Sequence, residues 1–277
     1  MLLHSALLSG VAGYVDAAGF VLLFGVFPAH LTGELVNDAI AVSSGQLAAR
    51  ASRLWVFPVF VASIVVAALV ARGLRSCGRK AIVGLLTLVT SSLALFSLSG
   101  VLACLLHESH WSLLVAGACA VAAMGFQTAL MRESLTGCQT TVMTGNLAQV
   151  ILEIVDQVCN RIGGASALSA SPRSRLWVVA SALSAFTICA VLGAWLARLF
   201  GALSIALPTF VTAALTVRAW REERAQPPVV SEAPEASVPW FTDDEFWPDS
   251  DAPRALSQPY TEPSSVTRIK AERVVAV

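Results

Sequence analysis

The sequence predicts an all-α fold: a polytopic helical membrane protein of about six spans, arranged as two inverted three-helix repeats and followed by a disordered C-terminal tail. Three observations predict it. Of 277 residues, 56% are hydrophobic and 13% charged, with a mean hydropathy of +0.72; that charged share is about half of what a soluble domain carries. Six stretches meet or approach the roughly 20 apolar residues that a spanning helix needs. The first and fourth stretches match each other without gaps at an offset of 112 residues. A soluble enzyme is excluded by the first observation, and the other two describe how the chain is organised.

The apolar stretches run at about Leu2–Phe27, Leu54–Ala71, Ala81–Leu106, Trp111–Met131, Leu176–Phe200 and Gly201–Val217. The last is short, contains Pro208 and follows the fifth with almost no linker, so five spans are an alternative. With six, residues 1–110 form the first three-span repeat, 111–217 the second, and 218–277 an acidic tail. The first stretch has no Lys or Arg before Arg50 and so lacks the basic start of a secretory signal; it is expected to stay in the mature chain. Basic residues in short loops remain on the cytoplasmic side. Placing the N-terminus inside puts Arg72, Arg75, Arg79, Lys80, Arg132, Arg161, Arg173, Arg175, Arg218, Arg221 and Arg224 inside, and leaves only Arg50, Arg53 and Arg198 outside. Both termini are therefore expected in the cytoplasm.

The zero net charge conceals an asymmetry. Up to Val217 there are 11 basic and 7 acidic residues, and beyond it 7 basic and 11 acidic. This tail is rich in Pro, Ser and acidic residues without an apolar period, and buries too little surface to offset chain entropy. Residues 239–247 (Pro-Trp-Phe-Thr-Asp-Asp-Glu-Phe-Trp) place four aromatics around an acidic run. They read either as a docking segment for a cytoplasmic partner or as a solvated linker.

In the self-match, Gly13 falls on Gly125, Ala17 on Ala129, Gly25 on Gly137, Thr32 on Thr144, Gly33 on Gly145 and Leu35 on Leu147. Farther on, Val70-Ala71-Arg72 resembles Leu196-Ala197-Arg198 at a larger offset, as an insertion between the fourth and fifth spans would produce. An odd number of spans per repeat makes the second unit enter the bilayer from the opposite side. Inverted repeats of this kind recur in secondary transporters, with the site near the midplane between the halves.

Asp16 is the only acidic or basic residue between Ser5 and Ala29. An Asp at the centre of a span costs roughly 2.5–3.5 kcal/mol, so it should face protein or water, and such groups mark ion or proton pathways. The competing reading is a structural carboxylate bonded to a neighbouring helix. Ser9, Gly13 and Ala17, spaced by four, form a small-residue ridge for close helix contact on the same side. Thr32-Gly33-Glu34 and Thr144-Gly145-Asn146 each precede an apolar run; Thr can cap a helix start and Gly lets backbone approach another group. A half-helix beginning there would turn its N-terminal N–H groups into the membrane, and the plain alternative is a turn where a span emerges. Thr128 aligns with Asp16 and Gln127 precedes it; both offer neutral hydrogen bonds, or simply link helices.

These residues carry a resemblance. Gly13-Tyr14-Val15-Asp16-Ala17-Ala18-Gly19-Phe20, Ala29-His30-Leu31-Thr32-Gly33, Met124-Gly125-Phe126-Gln127-Thr128-Ala129 and Thr141-Val142-Met143-Thr144-Gly145-Asn146-Leu147 together resemble the YoaK family, also called DUF1275, over about residues 5–217. The resemblance implies a bacterial cytoplasmic (inner) membrane protein and supplies no substrate. The family pattern reads Thr-Gly-Asn in the first half, where this chain has Glu34, so an amide that donates and accepts is replaced by a carboxylate.

Other motifs point to little chemistry. His107-Glu108-Ser109-His110 lacks the His-Glu-x-x-His spacing of a helical metal site. The six cysteines form no Cys-x-x-Cys pair and read as small apolar fillers. No phosphate loop, nucleophile elbow or nucleic-acid patch is present, so no enzyme activity, cofactor, metal or nucleic-acid partner is expected. The expected function is a secondary transporter or exporter of a small solute, with Asp16 coupling a proton or cation. Gly13, Thr32, Gly33, Glu34, Gln127, Thr128, Thr144, Gly145 and Asn146 are expected around it. A non-transporting scaffold or sensor that recruits a partner through its tail is the alternative.

Overall fold

The computed structural model describes residues 2–23, 25–45, 54–106, 110–133, 138, 140–141, 143–163 and 173–225. Segments 107–109 and 239–247 and Gly137 lie outside them. The described residues contain α-helices and short 3-10 turns and no strand: α1 (Leu2–Leu22), α2 (Leu31–Ser43), α3 (Val56–Ser76), α4 (Ala81–Leu106), α5 (His110–Leu130), α6 (Met143–Gly163), α7 (Arg173–Phe200) and α8 (Ala206–Ala225). Among the described residues, five segments are long and apolar enough to cross a membrane: α1, α3, α4, α5, and the 50-residue stretch Leu176–Ala225 that holds α7, a 3-10 turn at Gly201–Ile205 and α8.

Several ends differ from the apolar boundaries, each for a local reason. The first stretch does not continue to Phe27: α1 stops at Leu22, where Gly25, at φ 90°, donates its N–H to the Phe20 carbonyl at 2.8 Å. That left-handed conformation favours glycine. α3 runs past Ala71 to Ser76 and closes on Gly78 at φ 68°, with the Arg79 N–H on the Leu74 carbonyl at 2.9 Å. The boundary at Val217 is corrected too. α8 continues to Ala225, with Arg218 Nε on Glu222 Oε1 at 2.9 Å and the Arg224 guanidinium 3.9 Å from the Trp220 ring. Both spacings of four residues support helix.

Helix directions follow from paired contacts. Gly10 faces Cys189, Tyr14 faces Gly193, and Leu22 and Phe200 line one cavity at the helix ends, so α1 and α7 run parallel. Trp55 lies on Gly117 and Ser63 on Gly125, so α3 and α5 run parallel. α4 and α8 are antiparallel, joined by Ser97 to the Ala202 carbonyl at 3.1 Å, Thr90 to Thr216 at 3.2 Å and the Lys80 N–H to Glu223 at 3.0 Å. α1 is antiparallel to α5, since Gln127 reaches the Leu8 carbonyl while Leu23 lies at Gly117. The core holds Leu8, Val15, Leu85, Val89, Phe96, Val121 and Met124. Outward faces of α3, α6 and α7 leave Leu69, Leu152, Ile188 and Val191 exposed, the reverse of a water-soluble bundle.

Candidate functional site

The site is built on the break between α1 and α2. After Gly25 the chain turns back along α1: the Pro28 ring packs on Gly19, where a Cβ would lie 2.6 Å from Pro28 Cγ, and Phe27 stacks on Phe20 with ring centroids 4.4 Å apart. The fold-back returns the backbone by about six residues, roughly 9 Å of helix, to the level of Asp16. There the Ala29 N–H donates to Asp16 Oδ1 at 2.7 Å, and His30 Nδ1 meets Asp16 Oδ2 at 2.5 Å. Asp16 is 4% exposed, whereas the His30 side chain is 42% exposed and packs edge-on to Phe186 of α7. A buried carboxylate is therefore within hydrogen-bond distance of an imidazole that is partly exposed. Its hydrogen bond to the Asp16 carboxylate raises the His30 pKa above its usual value, against a smaller opposing effect of burial.

Glu34 serves the same break. It is 3% exposed, its Oε1 accepts the Phe27 N–H at 3.0 Å, and its Oε2 is buried without a hydrogen-bond partner. Pro28 has no N–H, so two carboxylates take the neighbouring donors at 27 and 29 where the chain leaves the helix. Buried backbone at a helix break requires such partners.

The residues aligned at the 112-residue offset form a similar arrangement without charge. Thr128, aligned with Asp16, donates to the Met124 carbonyl at 2.8 Å and lies 3.2 Å from the hydroxyl of Thr141, which aligns with Ala29. Gln127 is fully buried, donating to the Leu8 carbonyl at 2.7 Å and to Thr140 Oγ1 at 3.3 Å, with its Oε1 unpartnered. Asn146, aligned with Glu34, is buried with its amide nitrogen 3.7 Å from the Met143 sulfur.

The Thr-Gly pairs occupy a different place from the one expected. α2 begins at Leu31 after His30, which makes no side-chain cap, and α6 begins at Met143. Thr32 and Thr144 are thus second in their helices and cap neither. Both threonines, Gly33 and Gly145 are exposed, and a Cβ on either glycine would meet nothing within 4 Å. The close approach belongs to Gly13, whose added Cβ would overlap the Phe186 carbonyl, and to Gly125, which aligns with it at the 112-residue offset and lies against Ser63 and Phe60. Among the described residues, no group of three or more His, Cys, Asp or Glu is placed to hold a metal.

The sequence profile of the family described as "Protein of unknown function (DUF1275)" matches residues 4–218. The chain belongs to the DUF1275 family. No curated protein and no solved structure matches it. In this DUF1275 protein the residue that motif reading missed as a site group is His30. It stands one position after Ala29 in the quoted motif, 14 residues from Asp16, beyond the reach of any single helix face.

Proposed function

We propose that this DUF1275 protein is a secondary transporter or exporter of a small solute in the cytoplasmic membrane, with Asp16 and His30 carrying the coupling proton. The observation that carries the reading is the pairing of buried Asp16 with partly exposed His30 at a helix break. A carboxylate inside an apolar helix is costly, and such groups are retained along ion and proton pathways. Here the inner oxygen of the pair faces protein and the imidazole reaches outward, so a proton can pass between the exposed and buried ends. Gln127, Thr128 and Asn146 supply neutral hydrogen bonds from the second half, and the solute leaves chemically unchanged.

The transporter is read as six spans in two inverted units. Three features support this. α1 and α5, the first helices of the two units, run antiparallel. The α1–α7 contact has its counterpart in α5–α3. Gly13 meets Phe186 as Gly125 meets Phe60, and these partners are themselves related by the same 126-residue offset as Ala71 and Ala197. α8 runs antiparallel to α1, with Tyr14 Oη on the Ser204 carbonyl at 2.9 Å and His4 sharing a cavity with Glu222. α7 runs parallel to α1, which supports a fold-back at Gly201 and hence a sixth crossing. Lys80 lines a cavity with His4, and Arg218 pairs with Glu222 of the same cavity, so basic residues lie at the end where α1 begins, which supports cytoplasmic termini.

The test is flux. The full chain and Asp16→Asn are reconstituted in phosphatidylethanolamine–phosphatidylglycerol vesicles, and uptake of a panel of radiolabelled amino acids, sugars and organic acids is followed with and without an imposed pH gradient. The wild type should concentrate at least one solute only with the gradient, and Asp16→Asn should abolish the gradient dependence. Unchanged coupling in Asp16→Asn would remove the proposed role.

A further inference from the structure

Between α3, α4 and α5 lies a cavity of about 240 Å³. Its walls include Ala67, Ala68 and Leu85, all small or aliphatic, together with Thr128, which aligns with Asp16. At its mouth Arg75 Nη1 meets Glu133 Oε1 at 3.0 Å, joining the end of α3 to the 3-10 turn that follows α5. Only one oxygen and one nitrogen form this contact, and the Arg75 side chain is 53% exposed against 13% for Glu133.

We propose that this cavity binds an aliphatic α-amino acid in its zwitterionic form, with the carboxylate on Arg75, the ammonium on Glu133 and the side chain among the alanines. The inference rests on the transporter reading and names its substrate class. Three properties lead to it. The two mouth charges cancel, so a ligand with net charge would leave one of them unmatched. A zwitterion matches both, and a guanidinium fork suits a carboxylate in particular. The apolar wall suits a hydrocarbon side chain and offers no set of donors and acceptors for a sugar. At about 30 Å³ per water-sized group, the space holds roughly eight such groups, which is the scale of leucine or valine. The Arg75–Glu133 bridge then stands in for the ligand when the site is empty, and entry of the zwitterion replaces one charge contact by two.

The experiment uses the full chain purified in detergent, with thermal unfolding followed against concentration of L-leucine, 4-methylpentanoate (no ammonium) and 3-methylbutylamine (no carboxylate). L-leucine should raise Tm saturably, because a ligand held only by the folded state stabilises it, while neither analogue should. Arg75→Gln, at an exposed position and so expected to fold, should raise the half-saturating concentration about tenfold to a hundredfold, the loss expected for a charge-assisted hydrogen bond. Arg75→Lys should recover part of it. Ala68→Leu, which fills the cavity without touching the charges, should abolish the effect. The proposal is overturned if L-leucine and L-valine leave Tm unchanged, if either analogue matches leucine, or if Arg75→Gln and Ala68→Leu bind as the wild type does. Binding as described without gradient-driven leucine flux in vesicles would uphold this site and refute the transporter reading. Asp16-dependent flux of another solute with no leucine binding would do the reverse.

Discussion

Asp16 takes two donors from adjacent residues, the Ala29 N–H and the His30 ring. Removing the carboxylate by Asp16→Ala leaves a partly buried N–H without its partner, which costs about 1–3 kcal/mol; thermal unfolding of the variant should show that loss. The pair also makes stability depend on pH. The folded His30 pKa lies above the unfolded value of about 6.5, so protonation favours the folded form. Its contribution is fully present below about pH 6.5 and disappears as pH rises through the raised folded value. Tm measured from pH 6 to 9 should therefore fall more in the wild type than in His30→Gln, and equal slopes would show that the pair does not titrate as described. Asp16 was legible in the sequence because a single carboxylate interrupts an apolar run. His30 was not, because the contact depends on a fold-back set by Gly25, Gly19 and Pro28, and no periodicity reports that.

At the scale of elements, the closest crossing is α1 on α7, where Gly13 lies under the Phe186 carbonyl and Gly193 under the Tyr14 backbone. Gly13→Ala forces backbone apart and should cost about 1–3 kcal/mol, read as a lower Tm of the detergent-solubilised chain. Gly33→Ala has open space and should be neutral or stabilising by up to about 1 kcal/mol, from helix propensity. A larger loss at Gly33 than at Gly13 would invert this assignment. Of the small-residue ridge on α1, Gly13 lies at the crossing, joined there by Gly10, because close helix approach in a membrane requires small side chains. The Thr-Gly pairs carried no such geometric consequence, and their resemblance to a capped helix start was misleading: one helix begins at Leu31 and the other at Met143. Helix ends were the least legible feature of the elements. Apolar length specifies that a helix exists, whereas Gly25, Gly78 and the Arg218–Glu222 pair decide where it stops.

At the scale of the molecule, the sequence offset of 112 residues anticipated a pairing of first helices, and the structure adds reciprocal contacts that no self-match contains. Gly125 meets α3 as Gly13 meets α7, and the positions aligned with Asp16 and Glu34 are the uncharged Thr128 and Asn146. This asymmetry underlies the division of labour proposed here, a proton on the Asp16 side and a solute on the Thr128 side. Everything depends on the two units facing opposite ways. α3 and α7, the corresponding helices, end at left-handed Gly78 and Gly201, preceded by the exposed residues Cys77 and Phe200. A membrane-impermeant maleimide, applied to right-side-out and inside-out vesicles, reads their positions in a chain whose other cysteines are replaced by alanine. Cys77 should label only in inside-out vesicles and a cysteine placed by Phe200→Cys only in right-side-out vesicles; labelling of both from one face would contradict the inverted architecture.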